Sequence, residues 1–247
     1  MGSKNRIAKY IVPIIQKYID DNNIKTYYEP FVGGANVIDK IKCENRIGSD
    51  LNRYLIELLI HVKKGNALYE SVSRELYNSA RKAYNEGNLA NEFTDWELGN
   101  IGFLSSYNGR WFDGGYAQSG YEKTKKGMRF RDYYRESKDN LLKQAPLLLD
   151  IKFFCCDYKS IQPFQSVVYC DPPYMNTKKY ANSVNFDYDD FWNCMREWSV
   201  NNIVLISELE APDDFKCIWS QEVSRSIKAC DKSKTQEKLF VHNTIKS

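Results

Sequence analysis

Residues 169–181 read YCDPPYMNTKKYA, and the apolar run Val167-Val168-Tyr169 leads into them. Two consecutive prolines donate no N–H to a helix or a central strand, and each ring fixes its own φ. The stretch therefore predicts a strand that stops, followed by a preset turn. Asp171 is left at the strand's C-terminal tip, with Tyr174 just past the turn. In open α/β sheets ligands bind outside those tips. A carboxylate and an aromatic ring delivered there need a reason, and the rest of the chain supplies one.

Other segments repeat the pattern. NRIGSD (45–50) and IKFFCCD (151–157) also read as strands ending in an acid, and IVLISE (203–208) as a further strand. TYYEPFVGGANVIDKI (26–41) reads as strand, glycine turn and helix, and NRYLIELLIHVKK (52–64) as the helix after the second strand. Ile7, Tyr10, Ile11, Ile14, Ile15 and Tyr18 recur at helical spacing and predict an amphipathic N-terminal helix, with Pro13 as a kink or a restart. DYDDFWNCMREWSVNN (187–202) is predicted helical, and WSQEVSRSI (219–227) with EKLFVHN (237–243) closes an antiparallel pair. Between 65 and 145 the α/β rhythm lapses. Two helical stretches (68–87 and 94–107), a glycine- and aromatic-rich loop (108–123) and another helix (131–145) follow one another. The expectation is an α/β domain, 1–64 with 146–247, carrying a mainly helical insert at 65–145.

Composition excludes several classes. The chain has 247 residues, 43% of them hydrophobic, enough for one substantial core with an appended unit. No apolar run is long enough to span a bilayer, and the first residues carry no secretory h-region, so the expected compartment is the cytoplasm. The seven cysteines form no C-x-x-C pair, which argues against a zinc site or a disulfide framework, and no metal is expected. Net charge is only +3, yet residues 107–131 hold six basic residues (Arg110, Lys123, Lys125, Lys126, Arg129, Arg131) against Asp113 and Glu122, a local +4. Tyr107, Trp111, Phe112, Tyr116, Tyr121 and Phe130 are interleaved with them. Such a mixture suits a phosphate backbone with exposed bases, or a plain solvated loop.

Gly33 and Gly34 follow a predicted strand, where glycine permits positive φ and close approach of a ligand. No G-K-[ST] follows, and the G-x-G-x-x-G fingerprint is incomplete, which disfavours a nicotinamide oxidoreductase. Asp50, 17 residues after Gly33, stands near the spacing at which an acid takes ribose hydroxyls, or else it caps the next helix. With Asp157 and Asp171, four strands deliver such groups to one edge, a pattern that suits one adenosine-containing ligand plus a reacting group.

EPFVGG, DLN and DPPY in that order resemble the Dam-like group of DNA adenine-N6 methyltransferases. MGSK resembles that group's N-terminal glycine-lysine motif, and YNGRWFDGGYA the asparagine-glycine-rich hairpin of its recognition domain. The resemblance implies a Rossmann-like methyltransferase sheet, mostly parallel with an antiparallel edge, and S-adenosyl-L-methionine as methyl donor with S-adenosyl-L-homocysteine as product. It implies that Lys4, Phe31, Gly33, Gly34, Ala35 and Asp50 hold the methionine and ribose parts, that Asp157 and Tyr158 approach the adenine, and that Asp171 borders the cofactor. Asp171, Pro172, Pro173 and Tyr174 would hold the target base. Asn108, Arg110, Lys123, Lys125, Lys126 and Arg129 would meet double-stranded DNA. Ala35 stands where many relatives have a third glycine. A monomer is expected, and a restriction endonuclease partner leaves no mark in the residues.

The chemistry answers the opening question. The adenine N6 lone pair is delocalised into the ring, so acceptors on its amino protons are needed to free it. Asp171 offers one and the Pro172 carbonyl another. An RNA guanine-N2 methyltransferase, a cytosine-N4 enzyme and a non-catalytic DNA-binding protein are the competing readings. The insert argues against the first, Asp171 in place of serine against the second, and Asp171 with Tyr174 against the third.

Overall fold

The isoleucine stripe forms the first helix as expected. Ile7, Ile11, Ile15 and Ile19 are buried in α1 (Asn5–Asp21), which runs through Pro13. The computed structural model describes residues 4–88, 90–124, 127–173, 186–228 and 231–244. Tyr174, Lys125 and Lys126 lie outside them. The described chain divides into two compact units, Asn52–Cys155 on one hand and Lys4–Leu51 with Cys156–Ser247 on the other.

The main sheet has seven strands: β1 (Thr26–Glu29), β2 (Asn45–Asp50), β5 (Ile151–Cys155), β6 (Val167–Cys170), β7 (Ile203–Glu208), β8 (Phe215–Lys228) and β9 (Asp231–His242). Their order is β5-β2-β1-β6-β7-β9-β8. β1 pairs in parallel with both β2 and β6, and β6 with β7, whereas β9 runs antiparallel to β7 and β8. The chain thus leaves β1 toward β2 and leaves β6 toward β7, in opposite directions. β1 and β6 flank the topological switch point, beyond whose strand tips open α/β sheets bind their ligands. β6 is buried along its whole length, as a central parallel strand should be. Val168 and Cys170 pack with Val204 and Ile206 under Phe191, Trp192, Met195 and Trp198 of α6 (Tyr188–Trp198).

One expected element is absent. After the glycine turn only a 3₁₀ turn, Ile38–Lys40, forms instead of a helix. The turn itself consumes the chain to Ala35, and nine residues (36–44) then remain before β2. The whole connection, residues 30–44, is long enough for a helical crossover, but the left-handed residues Gly33 and Ala35 and the bond from Val32 N to the Ser49 carbonyl commit its first part to the turn.

The other unit is helical: α2 (Arg53–Lys63), α3 (Arg74–Asn85), α4 (Asp95–Leu104) and α5 (Tyr133–Gln144), with a hairpin of β3 (Gly120–Thr124) and β4 (Gly127–Arg131). It reaches further along the chain than 65–145, because α2 packs on α4 at the closest range the backbone allows. A Cβ on Gly99 would stand 2.2 Å from the Tyr54 carbonyl oxygen. Asn52 and Ser73 cap α2 and α3, accepting from Leu55 N and Leu76 N at 3.1 Å each. The cap at Ser73 is why α3 begins there and not at residue 68.

Candidate active site

The site is built where β1 and β6 end. With no proline N–H to offer, the ladder of β6 stops at Cys170, and Asp171 follows at once. Glu29, the last residue of β1, is buried and accepts from the Tyr27 hydroxyl at 3.0 Å. Burial pushes its carboxyl well above the usual range, with Asp171 adding repulsion.

Lys4, just ahead of α1, ties this edge together. Its ammonium lies 3.2 Å from Asp171 Oδ1 and 2.9 Å from Glu237 Oε2 on β9. Burial works against its charge, but Asp171 and Glu237 outweigh that and hold the amine above its usual pKa. Asp171 is the converse case. Burial pushes its carboxyl up to about 6, Lys4 pulls it down and Glu237 pushes it up again. Taking such charges out of water is a cost that their mutual pairing offsets only in part.

The glycine turn is shaped by backbone rather than by a helix terminus. Val32 N donates to the Ser49 carbonyl at 2.9 Å, and Gly33 N to Asp50 Oδ2 at 3.1 Å. Gly33 and Ala35 both take left-handed conformations, φ 49° and 55°. That explains why a third glycine would be at ease here, since a non-glycine residue in this region is strained by roughly 1–3 kcal/mol. Asp50 does not cap α2, because Asn52 does; its carboxylate instead fastens the turn.

A third corner is aromatic. Phe31 packs 5.2 Å from Tyr158 and about as close to Phe186 and Phe191, at 6.1 and 6.0 Å between ring centroids. Tyr158 is buried, with its hydroxyl pushed up by burial. Asp157 caps the short turn Tyr158–Ser160, accepting from Lys159 N at 2.9 Å. On α6, the Tyr188 hydroxyl donates to the Pro173 carbonyl at 2.6 Å.

Lys4, Phe31, Gly33, Gly34, Ala35, Asp50, Asp157, Tyr158, Asp171, Pro172 and Pro173 therefore all belong to one unit, at or beyond the strand tips. Three neighbours escaped the sequence reading. Glu208 ends β7 as Asp171 follows β6, so the strand-ending-in-an-acid pattern could have found it. Glu237 sits within a hairpin strand and Tyr188 opens a helix, and neither position carries a local signal.

The insert refines the reading of 107–131. Asn108 and Gly109 lie in a 3₁₀ turn, Tyr107–Gly109, inside a loop closed in hairpin fashion by the antiparallel bridge of Ser106 with Tyr116 and by Tyr107 N donating to the Gly115 carbonyl at 3.0 Å, and the regular hairpin β3–β4 follows it. Of the aromatics, Trp111, Phe112 and Tyr116 pack in or against the unit's core with Tyr77, Leu98 and Ile101. Tyr116 donates to the Val72 carbonyl at 2.7 Å. Tyr107, Tyr121 and Phe130 remain exposed. Arg129 and Arg131 share Glu136, at 2.8 and 2.9 Å, so part of the local positive charge is compensated. Arg110 and Lys123 are exposed and have no ion pair among the described residues.

Comparison with known families decides the class. The model of the D12 class N6 adenine-specific DNA methyltransferases matches residues 1–199. The chain belongs to that family. Methyl transfer to the N6 of adenine in DNA is thus the reaction of this enzyme. The type II methyltransferase M.MjaIII of Methanocaldococcus jannaschii is 26% identical over 76% of this chain and 73% of its own. M.FokI, a type II methyltransferase of Planomicrobium okeanokoites, is 24% identical over 83% of this methyltransferase, which spans only 32% of M.FokI. Among solved structures, a Pyrococcus horikoshii protein described as a candidate RNA methyltransferase aligns with 96% of this chain and 83% of its own, at 8% identity and a TM-score of 0.43, too loose a likeness to argue from. No described helix is long and apolar enough to cross a membrane.

Proposed function

We propose that this methyltransferase takes its methyl group from S-adenosyl-L-methionine and delivers it by direct attack of a flipped-out adenine. The residues at the strand tips fit such a donor. Asp50 and the left-handed turn at Gly33 present a carboxylate and backbone polar groups suited to hydroxyls and charged ends, and Phe31 with Tyr158 presents an aromatic surface suited to a nucleobase. When bound, the donor supplies an already activated methyl group on a sulfonium.

The observation that carries the reading is the pair of acceptors at the end of β6. Asp171 is held by Lys4, and Tyr188 occupies the Pro173 carbonyl, which leaves the Pro172 carbonyl as the second acceptor. Two acceptors on the two amino hydrogens draw N6 toward tetrahedral geometry and free its lone pair. Alignment at near-attack distance then contributes much of the rate, an effect that reaches ~7–11 kcal/mol. Flipping the base out of the duplex costs a few kcal/mol, which stacking on an aromatic ring offsets at roughly 1–3 kcal/mol per contact. Tyr174 is the residue proposed for that stacking. The helical unit, with Asn108, Arg110, Lys123, Lys125, Lys126 and Arg129, is the proposed reader of double-stranded DNA.

Incubation with labelled S-adenosylmethionine and either DNA or RNA, followed by digestion to nucleosides, tests the reading. Label in N6-methyl-2′-deoxyadenosine from DNA is expected. Label in N2-methylguanosine from RNA, or in N4-methylcytidine, overturns it.

A further inference from the structure

β9 carries an acid at a position that faces the core. Glu237, Leu239 and Val241 alternate onto one face of the strand. Leu239 and Val241 are fully buried, and Glu237 is 9% exposed, although Gln236 beside it is exposed. The backbone there is held on both sides. Lys238 pairs with Ser220 of β8 and with Glu208, the last residue of β7, and Glu237 stands opposite Gln221 of β8. β9 thus continues past the end of β7, and Glu237 is its first residue beyond that end. Its carboxylate reaches Lys4, whose ammonium donates to Glu237 Oε2 at 2.9 Å and lies 3.2 Å from Asp171 Oδ1. Lys4 is fixed at its other end as well, where its carbonyl accepts from Ile7 N at 2.9 Å and Ala8 N at 2.7 Å in the first turn of α1. One cation therefore bridges the acid at the tip of β6 and an acid of β9.

We propose that Glu237 is a positioning residue that acts on Asp171 through Lys4: it fixes where the ammonium stands and takes a share of its charge. The inference rests on the adenine-N6 reading above. Asp171 must accept from the adenine amino group while Lys4 claims one of its oxygens. An ammonium given wholly to Asp171 draws electron density from the carboxylate and competes with the amino hydrogens for it. An ammonium shared with Glu237 keeps Asp171 ionised and leaves it the stronger acceptor. Around Asp171 stand Lys4, Glu237, Glu29 of β1, Glu208 of β7, and Tyr169 and Cys170 of β6, and Lys4 is the cation of that group. Tyr188 of α6 and Lys238 of β9 border Glu208 in turn. Burial raises the Asp171 carboxyl to about 6, Lys4 lowers it and Glu237 raises it again, so the two act on it with opposite signs.

The test is the pH dependence of single-turnover methylation, with tritiated S-adenosylmethionine and saturating unmethylated plasmid DNA, from about pH 5 to about pH 9. Asp171 must be ionised to accept, so the wild-type rate rises with pH to a plateau. Glu237→Gln still offers Lys4 an oxygen but no charge, and Lys4 turns its charge to Asp171. Its acid limb should move to lower pH by roughly half a unit to one unit. Its plateau should fall by about tenfold, less than when a preorganised group is removed outright. Glu237→Asp keeps the charge but stands a methylene short of Lys4, so its acid limb should stay near that of wild type while its plateau falls. In a Lys4→Met background Glu237→Gln should cost no further rate. A residue that merely tethers α1 to β9 changes the melting temperature and none of these profiles. An unmoved limb or an unchanged plateau in Glu237→Gln overturns the proposal, as does a further loss in the Lys4→Met background. If Glu237→Gln does not fold, Glu237→Asp decides, and an unchanged plateau there overturns it. Carbon-detected NMR titration of the Asp171 carboxyl supplies a readout without turnover: it should titrate lower in Glu237→Gln, and an identical titration counts against the proposal. A wild type that methylates no adenine counts against the functional reading itself.

Discussion

The sheet edge and the helical insert handle charge in opposite ways. At the edge, Lys4, Asp171 and Glu237 are mostly buried, with side chains 12%, 19% and 11% exposed, and Glu29 and Glu208 are buried with them. Lys4 is paired with both Asp171 and Glu237 there, and burial raises the pKa of Glu29, Asp171 and Glu208. In the insert, Arg129 and Arg131 share Glu136 at the surface, where such pairs contribute only about 0–1 kcal/mol. The difference fits the two tasks proposed for them. A reacting amino group needs acceptors fixed in a low dielectric, while a polyanion needs cations that can be re-aimed in water.

The largest expected effect breaks the first side of that contrast. Asp171→Ala removes the acceptor held by Lys4, and methylation should fall by on the order of 10²–10³ or more, as for other preorganised electrostatic groups. Binding of cofactor and DNA should largely survive. Turnover within tenfold of wild type would sink the role. Asp171→Asn should also be slow, yet it should resist unfolding better than wild type at neutral pH. The carboxyl's pKa is raised on folding, so it stabilises the fold at low pH and that contribution is lost as pH rises through about 6. Thermal melts compared across that window check the sign.

Asp50→Ala comes next and tests whether the glycine turn is a binding device. It removes the acceptor for Gly33 N together with a candidate partner for cofactor hydroxyls. S-adenosylmethionine affinity should weaken by roughly 1.5–3 kcal/mol, with a smaller effect on the rate at saturation. Calorimetry showing unchanged affinity would reduce Asp50 to a fastener of the loop.

These sites differ in how far the sequence announced them. Strand tips were legible because a short apolar run ending in Asp, then Pro-Pro, leaves few conformations open. The glycine turn was legible as a turn, but the helix expected after it is only a 3₁₀ turn, because the left-handed residues Gly33 and Ala35 hold the first part of the connection in the turn. Lys4 and Asp171 were both picked out, but Glu237 was not. Glu237 reaches Lys4 from a strand more than two hundred residues away, and no periodicity encodes such a pairing. In the insert, Trp111 and Phe112 looked like a surface platform because they sit among basic residues. Gly102 explains the misreading: with no side chain there, Trp111 folds inward, and a Cβ on Gly102 would stand 2.7 Å from its ring.

The insert can be loosened without touching charge. Gly99→Ala forces a methyl group against the Tyr54 carbonyl, and overpacking of this kind costs about 1–3 kcal/mol. Denaturant unfolding should show that loss, and DNA affinity should fall before cofactor affinity does. Equal losses of both would mean that the two units do not divide the work as proposed.

The smallest effects belong to single cations of the insert, and they sharpen the contrast. Arg110 and Lys123 have no ion pair among the described residues, whereas Arg129 is already committed to Glu136. Arg110 follows directly on the 3₁₀ turn Tyr107–Gly109 rather than lying in a strand, and its planar fork suits a guanine edge. Arg110→Ala should relax sequence preference at one base pair by roughly 1–3 kcal/mol, visible as a degenerate position when methylation is mapped across a random-sequence library. Lys123 is a flexible point charge on an exposed strand, better suited to phosphate. Lys123→Ala should leave the preferred sequence intact and flatten the log–log salt dependence of binding by about 0.9. Arg129→Ala should flatten it by less, because the arginine must first give up Glu136 to reach a phosphate. If Arg129→Ala flattens the slope as much as Lys123→Ala, surface pairing does not hold charge back from DNA. If neither changes the slope, the hairpin is not in contact with the backbone, and α3 and α4 become the surfaces to test.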